Sequence, residues 1–74
     1  MQVHHTEDNS KGRFYLGDEE DFDGEMTYSK AGKNTIIIDH TGVPDRNRGK
    51  GYGKQLVEAG VEYAREKGMR VIPL

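Results

Sequence analysis

The chain has 74 residues, enough for one small domain, and 32% of them are hydrophobic while another 32% are charged. The absence of cysteine excludes a disulfide framework, a thiolate metal cluster and a cysteine nucleophile, and no apolar run approaches the roughly 20 residues of a membrane span. The formal net charge is −2 and the excess of bases is confined to residues 45–74, which argues against nucleic acid as the default partner. Together with the missing cysteine and the missing apolar span, this composition favours a soluble, cytoplasmic domain.

The first predicted elements are a short hairpin and an acidic connector. Residues 3–6 and 13–16 have strand-like composition and flank a turn cluster at residues 9–12. Residues 18–24 contain five acids, but Phe22 and the consecutive carboxylates break the ligand spacing of an EF-hand loop. We therefore interpret this segment as a solvated connector rather than a cation site.

A second hairpin is predicted to form the centre of the sheet. Residues 25–29 alternate as a strand does, residues 30–34 make a turn, and residues 35–41 contain three adjacent isoleucines. β-Branched residues favour strands, and an unbroken apolar run is typical of a strand covered on both sides. We therefore expect both faces of this strand to be buried.

After a loop at residues 42–51, helical spacing replaces the strand pattern. The apolar positions of residues 51–67 form one stripe that comprises Gly53, Leu56, Val57, Gly60, Val61 and Ala64. Gly60 costs roughly 1 kcal/mol of helix propensity relative to alanine, and we expect it to allow close approach to the sheet. Lys67 and Gly68 are typical of a helix C-terminus. Residues 69–72 predict a last strand, so the strand–helix–strand order indicates a parallel pair.

The segment between the isoleucine strand and the helix has the features of a phosphate-binding loop. Four bases lie between positions 46 and 54, interleaved with three glycines. The first N–H groups of a helix lack intrahelical acceptors and lie at the positive end of its dipole, and glycines let a phosphate approach them. Because Arg48, Lys50 and Lys54 add full charges nearby, the segment predicts a ligand that carries a pyrophosphate.

Two common phosphate loops do not match this segment. A P-loop requires Gly-Lys-Ser/Thr, but Gly53-Lys54 is followed by Gln55, and Arg48 stands where the first glycine belongs. A dinucleotide fingerprint requires G-x-G-x-x-G, whereas residues 49–53 read G-x-G-x-G. The sequence therefore indicates a different kind of phosphate loop.

A third pattern does match. Arg48-x-x-Gly51-x-Gly53 fits the Q/R-x-x-G-x-G/A signature of the Gcn5-related N-acetyltransferases, and Val43-Pro44 precedes it as in that family. The order of hairpin, apolar strand, loop, helix, glycine and strand also agrees. Residues 40–43 and 71–74 resemble the very short, single-domain members of the superfamily. The resemblance covers roughly residues 3–74 and is most specific at residues 36–57.

The resemblance implies both a fold and a cofactor. The fold is a minimal α/β (α+β) acetyltransferase-like domain over residues 1–74, with a mixed, mostly antiparallel sheet of about five strands and one main helix, the loop and helix spanning residues 43–67. The cofactor is acetyl-CoA, with its pyrophosphate on the loop and its pantetheine arm along the backbone near residues 40–43. The implied cofactor-binding residues are Thr41, Val43, Arg48, Gly49, Lys50, Gly51, Tyr52, Gly53 and Lys54.

The resemblance also implies acetyl transfer to a primary amine, belonging to a small molecule or to the lysine or N-terminus of a peptide. Such a reaction needs proximity, a donor to the thioester oxygen and a base. His40 is the candidate base because imidazole ordinarily titrates near neutral pH, although a structural role at the strand end fits equally well. Asp39 is expected on the opposite face from His40, since strand residues alternate. The adjacent His4 and His5 make a poor metal pair for the same reason, so no metal site is predicted.

Other functions fit the same residues. A non-catalytic CoA-binding module would use the loop without a base, and a small interaction domain would use it to bind an acidic protein or nucleic acid.

The chain departs from the short relatives at two places. Short relatives often carry an acid where this chain has Gly42, and they continue beyond the strand at residues 71–74. We therefore expect part of the acetyl pocket to lie in a segment beyond Leu74. The acceptor and the oligomeric state are not indicated by the sequence.

Overall fold

The structure is a computed structural model that describes residues 2–73. One sheet contains five strands in chain order: β1 (Val3–Glu7), β2 (Lys11–Gly17), β3 (Phe22–Ala31), β4 (Thr35–Gly42) and β5 (Arg70–Pro73). A short 3-10 helix (Asp45–Asn47) and helix α1 (Tyr52–Lys67) connect β4 to β5. The first four strands pair antiparallel, and β5 lies parallel to β4. The predicted mostly antiparallel sheet with one main helix is confirmed.

Helix α1 packs on one side of the sheet, which we call the helix face. The largest fully buried side chains belong to this layer: Leu16, Met26, Tyr28, Ile36 and Leu56. Gly60 allows the close approach predicted for it, since a Cβ at that position would lie 2.6 Å from Cε of Met26. Val57 and Val61, on the edge of the predicted apolar stripe, remain 40% and 36% exposed.

The opposite side of the sheet, the open face, carries no helix within residues 2–73. Ile36 is fully buried under α1, whereas Ile37 points to the open face and is only half-buried. Ile72, which pairs with Ile37 in β5, is 46% exposed. The prediction of burial on both faces was therefore wrong, because one helix covers only one of the two sides to which successive strand residues point.

Helix α1 begins and ends at the predicted glycines. Gly51 precedes it with φ 78° and Gly68 follows it with φ 67°, both in the left-handed region. The N–H of Gly68 donates to the carbonyl of Arg65, and that of Met69 donates to the carbonyl of Ala64, so the last turn is closed by backbone bonds. With its 16 residues α1 is too short to cross a membrane, and no other helix among residues 2–73 is long and apolar enough.

The C-terminal half of α1 is tied to the first hairpin by the tyrosine cluster, which consists of His5, Glu7, Phe14, Tyr28 and Tyr63. The hydroxyls of Tyr63 and Tyr28 both donate to Oε2 of Glu7, at 2.6 and 2.8 Å. Nε2 of His5 lies 2.6 Å from the Tyr28 hydroxyl, and the His5 ring stacks on Phe14 at 4.1 Å. The hydrogen bonds from Tyr63 and Tyr28 lower the pKa of Glu7 from 4.5 to about 2.

Candidate functional site

The polar loop leaves the sheet at the end of β4 and leads to the first turn of α1. Its Gly49 and Gly51 have φ values of 81° and 78°. This left-handed region costs a residue with a Cβ roughly 1–2 kcal/mol. A Cβ at either position would have nothing within 4 Å, so the turn and not the packing requires these glycines. The space beside both of them is open.

Backbone donors without helical acceptors come together beside these glycines. In α1, the N–H of Gln55 donates to the carbonyl of Gly51 at 3.1 Å. The N–H groups of Tyr52, Gly53 and Lys54 precede that bond and, as at the start of any helix, have no intrahelical acceptor. Such donors at the positive end of the helix dipole favour a phosphate group.

Three of the four bases in residues 46–54 are exposed and make no side-chain bond to the strands within residues 2–73. Arg48 is 78% exposed and holds only the equally exposed Asp45, at 2.9 Å. Such a pair contributes at most about 1 kcal/mol, so Arg48 can turn to a bound anion at little cost. Lys50 donates to Oδ1 of Asn47 at 3.2 Å, and Lys54 is exposed on the first turn of α1. The predicted cations therefore lie in the loop and on the first turn of α1, in the same segment as the open N–H groups.

The fourth base and a buried amide anchor the loop to the acidic segment. Arg46 donates to Oδ1 of Asp21 and to the carbonyl of Phe22, both at 3.2 Å. Asn47 is 5% exposed, and its Nδ2 donates to the carbonyl and to Oδ1 of Asp23 at 3.2 and 3.0 Å. The acidic segment is thus more than a solvated connector, because two of its carboxylates hold the loop. Nothing in the sequence singles out Asn47 for this role.

The remaining predicted cofactor residues contribute mainly backbone or packing. Tyr52 and Val43 pack against β3, since a Cβ on Gly24 would lie 3.6 Å from Cβ of Tyr52 and 3.7 Å from Cγ2 of Val43. A Cβ on Gly53, the second residue of α1, would lie 3.8 Å from the same valine methyl. Thr41 pairs with a buried residue of β3 on the helix face and is itself exposed. Tyr52 therefore has a packing role in this structure.

β4 extends beyond its parallel neighbour. Its pairing with β5 runs from Thr35 opposite Arg70 to Ile38 opposite Pro73, while residues 40–42 continue to pair with β3. Within the described range of residues 2–73, no strand pairs with the other edge of residues 39–42. The N–H and carbonyl groups of such an edge can pair with an extended ligand. This edge ends where the polar loop begins.

A β-bulge interrupts β4 at Asp39. Thr27 lies opposite His40, but the next residue of β3 lies opposite Ile38, so Asp39 has no direct partner. His40 therefore shares the open face with Thr27. Oδ2 of Asp39 accepts a hydrogen bond from Oγ of Ser29 on that same face, at 2.6 Å. The expectation that Asp39 and His40 lie on opposite faces was wrong, because the inserted residue resets the alternation.

The position of His40 depends on the glycine two residues later. Nε2 of His40 lies 2.8 Å from the point where a Cβ of residue 42 would be. Any side chain at Gly42 would therefore displace the imidazole. The structure brings His40 to the open face beside the free edge of β4, on the side of the sheet away from α1.

Comparisons with known proteins agree with this arrangement. Residues 13–74 match the sequence model of a family described as GCN5-related N-acetyl-transferase. A protein of Staphylococcus aureus described as GCN5-like, with a structure solved by NMR, is 42% identical, and the match covers 95% of this chain and 68% of that one with a TM-score of 0.70. Protein NATD1 of Xenopus tropicalis is 36% identical over 45 residues, which are 61% of this chain and 41% of that protein.

The fold also recurs in more distant structures. An aminoglycoside acetyltransferase from an uncultured soil metagenomic sample, in complex with sisomicin, is 23% identical with a TM-score of 0.77. The match covers 90% of this chain but 48% of that one. At this identity the likeness concerns the fold alone. The chain spans about two fifths of the length of the curated relative it matches.

Proposed function

Because this chain belongs to the GCN5-related N-acetyltransferase family, we propose that it binds acetyl-CoA on the loop before α1 and transfers the acetyl group to a primary amine. The observation that carries the proposal is the continuity of two features. The open edge of β4 at residues 39–42 runs directly into the loop that presents helix N–H groups, left-handed glycines and exposed cations.

The loop before α1 would bind the pyrophosphate of the cofactor. The N–H groups of residues 51–54 would bind the pyrophosphate, and Arg48, Lys50 and Lys54 would neutralise its charge. Arg46 would not take part directly, because its guanidinium already bonds to Asp21 and Phe22. Its role would be to hold the loop in shape together with Asn47.

The free edge of β4 would bind the pantetheine arm and the thioester of the cofactor. The backbone of residues 40–43 would pair with an extended pantetheine arm as with an added strand, and the thioester would then lie near the bulge and His40. When acetyl-CoA is bound, the amine nitrogen forms a bond to the acetyl carbon and the carbon–sulfur bond breaks. One proton of an incoming ammonium goes to His40 and then to water, and a second goes to the CoA thiolate. The products are the acetamide, free CoA and one released proton.

A calorimetric comparison of two arginine variants tests the binding part. Arg48 and Arg65 are both exposed and both form an ion pair three residues away in the chain, at 2.9 and 3.5 Å. We expect R48A to weaken CoA binding about fivefold, in line with the loss of one charge-assisted bond in a wet site. R65A should bind CoA as tightly as the wild type.

The control ligand is pantetheine, which lacks the pyrophosphate, and its affinity should not change in R48A. The transfer step is followed by the thiol released from acetyl-CoA in the presence of a primary amine. Equal CoA affinities for R48A and R65A, or no CoA binding by the wild type at millimolar ligand, would contradict the proposed function.

A further inference from the structure

The open face of the sheet carries a shallow trough that runs across the strands from β1 to β4. Its volume is about 480 Å³, within the range of small-molecule sites. The side chains along it are mostly polar, and they include Thr6, Asp8, Lys11, Arg13, Thr27 and Asp39. The trough lies on the open face, on the side of the sheet opposite to α1.

Most of the charged groups in the trough are already engaged. Oδ1 of Asp8 accepts hydrogen bonds from the N–H groups of Ser10 and Lys11, both at 2.8 Å. The guanidinium of Arg13 donates to Glu25 and stacks on Tyr15 at 4.4 Å. Glu7 also lines the trough, and its carboxylate accepts hydrogen bonds from Tyr28 and Tyr63. Among the carboxylates of the trough Asp39 differs, because in this structure it accepts a hydrogen bond only from the neutral hydroxyl of Ser29, and its residue is exposed.

The carboxylate of Asp39 lies at the β4 end of the trough, and the bulge brings His40 to the same face of the sheet. Asp39 immediately follows Ile38, the last residue of β4 that pairs with β5 among residues 2–73, and it precedes His40. Without the bulge its neighbour His40 would point to the helix face. We propose that the trough is the acceptor site and that Asp39 binds the ammonium group of a cationic primary amine. This inference rests on the proposed function and names its acceptor class.

The chemistry explains why a carboxylate would be placed there. An ammonium donates up to three hydrogen bonds, and a charge-assisted bond to a carboxylate is about twice as strong as a neutral one. Held by Asp39, the nitrogen lies beside His40, to which it passes one proton before attack. Asp39 orients the amine and selects a cation over a neutral acceptor of the same length, and it gains no proton in the step.

The test uses a matched pair of probes, butylamine and butanol, which have similar length and differ in the charge of the head group. In a titration followed by amide NMR, we expect butylamine to shift the signals of Thr27, Ser29 and Asp39. Butanol should leave them in place. In D39N the affinity for butylamine should fall at least tenfold, and E58Q, which removes a carboxylate on the outer side of α1, should bind butylamine as the wild type does.

CoA affinity measured on the same samples distinguishes a failure of the acceptor site at Asp39 from a failure of the proposed acetyl-CoA binding. If D39N binds CoA normally and loses butylamine, the acceptor site is supported. If CoA binds but butylamine leaves the trough unshifted, or shifts it equally in D39N, the inference is wrong while the proposed function stands. Should D39N fail to fold, S29A removes the hydroxyl that orients Asp39 and should weaken butylamine binding about threefold. An unchanged affinity in S29A would then count against the inference.

Discussion

The two ends of α1 differ in whether their polar groups are bonded within the protein or exposed to solvent. At the C-terminal end, Tyr63 donates to Glu7 and packs edge-on against Phe14, with ring centroids 5.9 Å apart. At the N-terminal end, Arg48 is 78% exposed and the glycines beside it have open space around them. One helix therefore joins a closed, internally satisfied cluster to a loop whose donors and charges face outward.

This difference separates stability from binding along a single element. The tyrosine cluster satisfies its polar groups within the protein, so changes there should alter the free energy of unfolding and leave ligand affinity unchanged. The loop has exposed cations and N–H groups without intrahelical acceptors, so changes of its charged side chains should alter affinity and hardly affect stability, whereas changes of its glycines should alter both. Variants at the two ends can test this division directly.

The largest effect is expected at the closed end, from G12A. A Cβ on Gly12 would coincide with the ring of Tyr28, which is fully buried and held by its hydroxyl. We expect a loss of about 3 kcal/mol in the free energy of unfolding, measured with urea, because the ring cannot move without breaking its bond to Glu7. G32A is the control, since Gly32 has φ 70° and open space, and it should lose only about 1 kcal/mol. Equal losses in both variants would show that the cluster is not tightly packed.

The next effect compares the two caps of α1. Gly51 and Gly68 have similar left-handed φ values of 78° and 67°, and neither has a neighbour near its Cβ position. Alanine at either should reduce stability by roughly 1–2 kcal/mol. Only G51A should also weaken CoA binding, by about tenfold, because the strained loop would turn its N–H groups away from the pyrophosphate. Calorimetry checks this, and a similar loss of affinity in G68A would mean that the effect comes from the helix as a whole.

The smallest effect concerns the charge of Glu7. Its pKa is about 2 in the folded protein because Tyr63 and Tyr28 donate to the carboxylate, against a usual value of 4.5. The lowered pKa stabilises the fold above pH 4.5, and this contribution is lost as the pH falls towards 2. We expect only about 1 kcal/mol, since 36% of the side chain is exposed and water screens the charge.

The variant E7Q isolates this contribution from the other carboxylates. The difference in unfolding free energy between the wild type and E7Q should be largest at neutral pH and should shrink as the pH falls from 4.5 towards 2 and below. CoA affinity should be the same in both proteins. A difference that does not change with pH would contradict the depressed pKa.

Periodicity and turn residues predicted most of the fold. The isoleucine run, the stripe of helical spacing and the two cap glycines led to the sheet, the helix and the parallel last strand that the structure contains. These patterns succeed because each depends on residues close together in the chain. The loop before α1 was singled out for the same reason, since its glycines, cations and helix start are contiguous, and phosphate binding there stays a prediction.

The features that were missed depend on contacts between distant segments. The bulge at Asp39 exists only relative to its partner strand, and no local pattern marks it. The anchoring of Asn47 on Asp23 joins residues that are 24 positions apart. The burial of Ile37 was overestimated because the sequence of a strand does not say how many helices cover the sheet.

The measurement that tests the central claim most directly is an amide NMR titration of the wild-type chain with CoA. We predict that the largest shifts belong to the signals of residues 48–54 and 39–43, with those of Glu7, Tyr28 and Tyr63 unchanged. Shifts concentrated in the tyrosine cluster, or no shifts in the loop at millimolar CoA, would contradict the account.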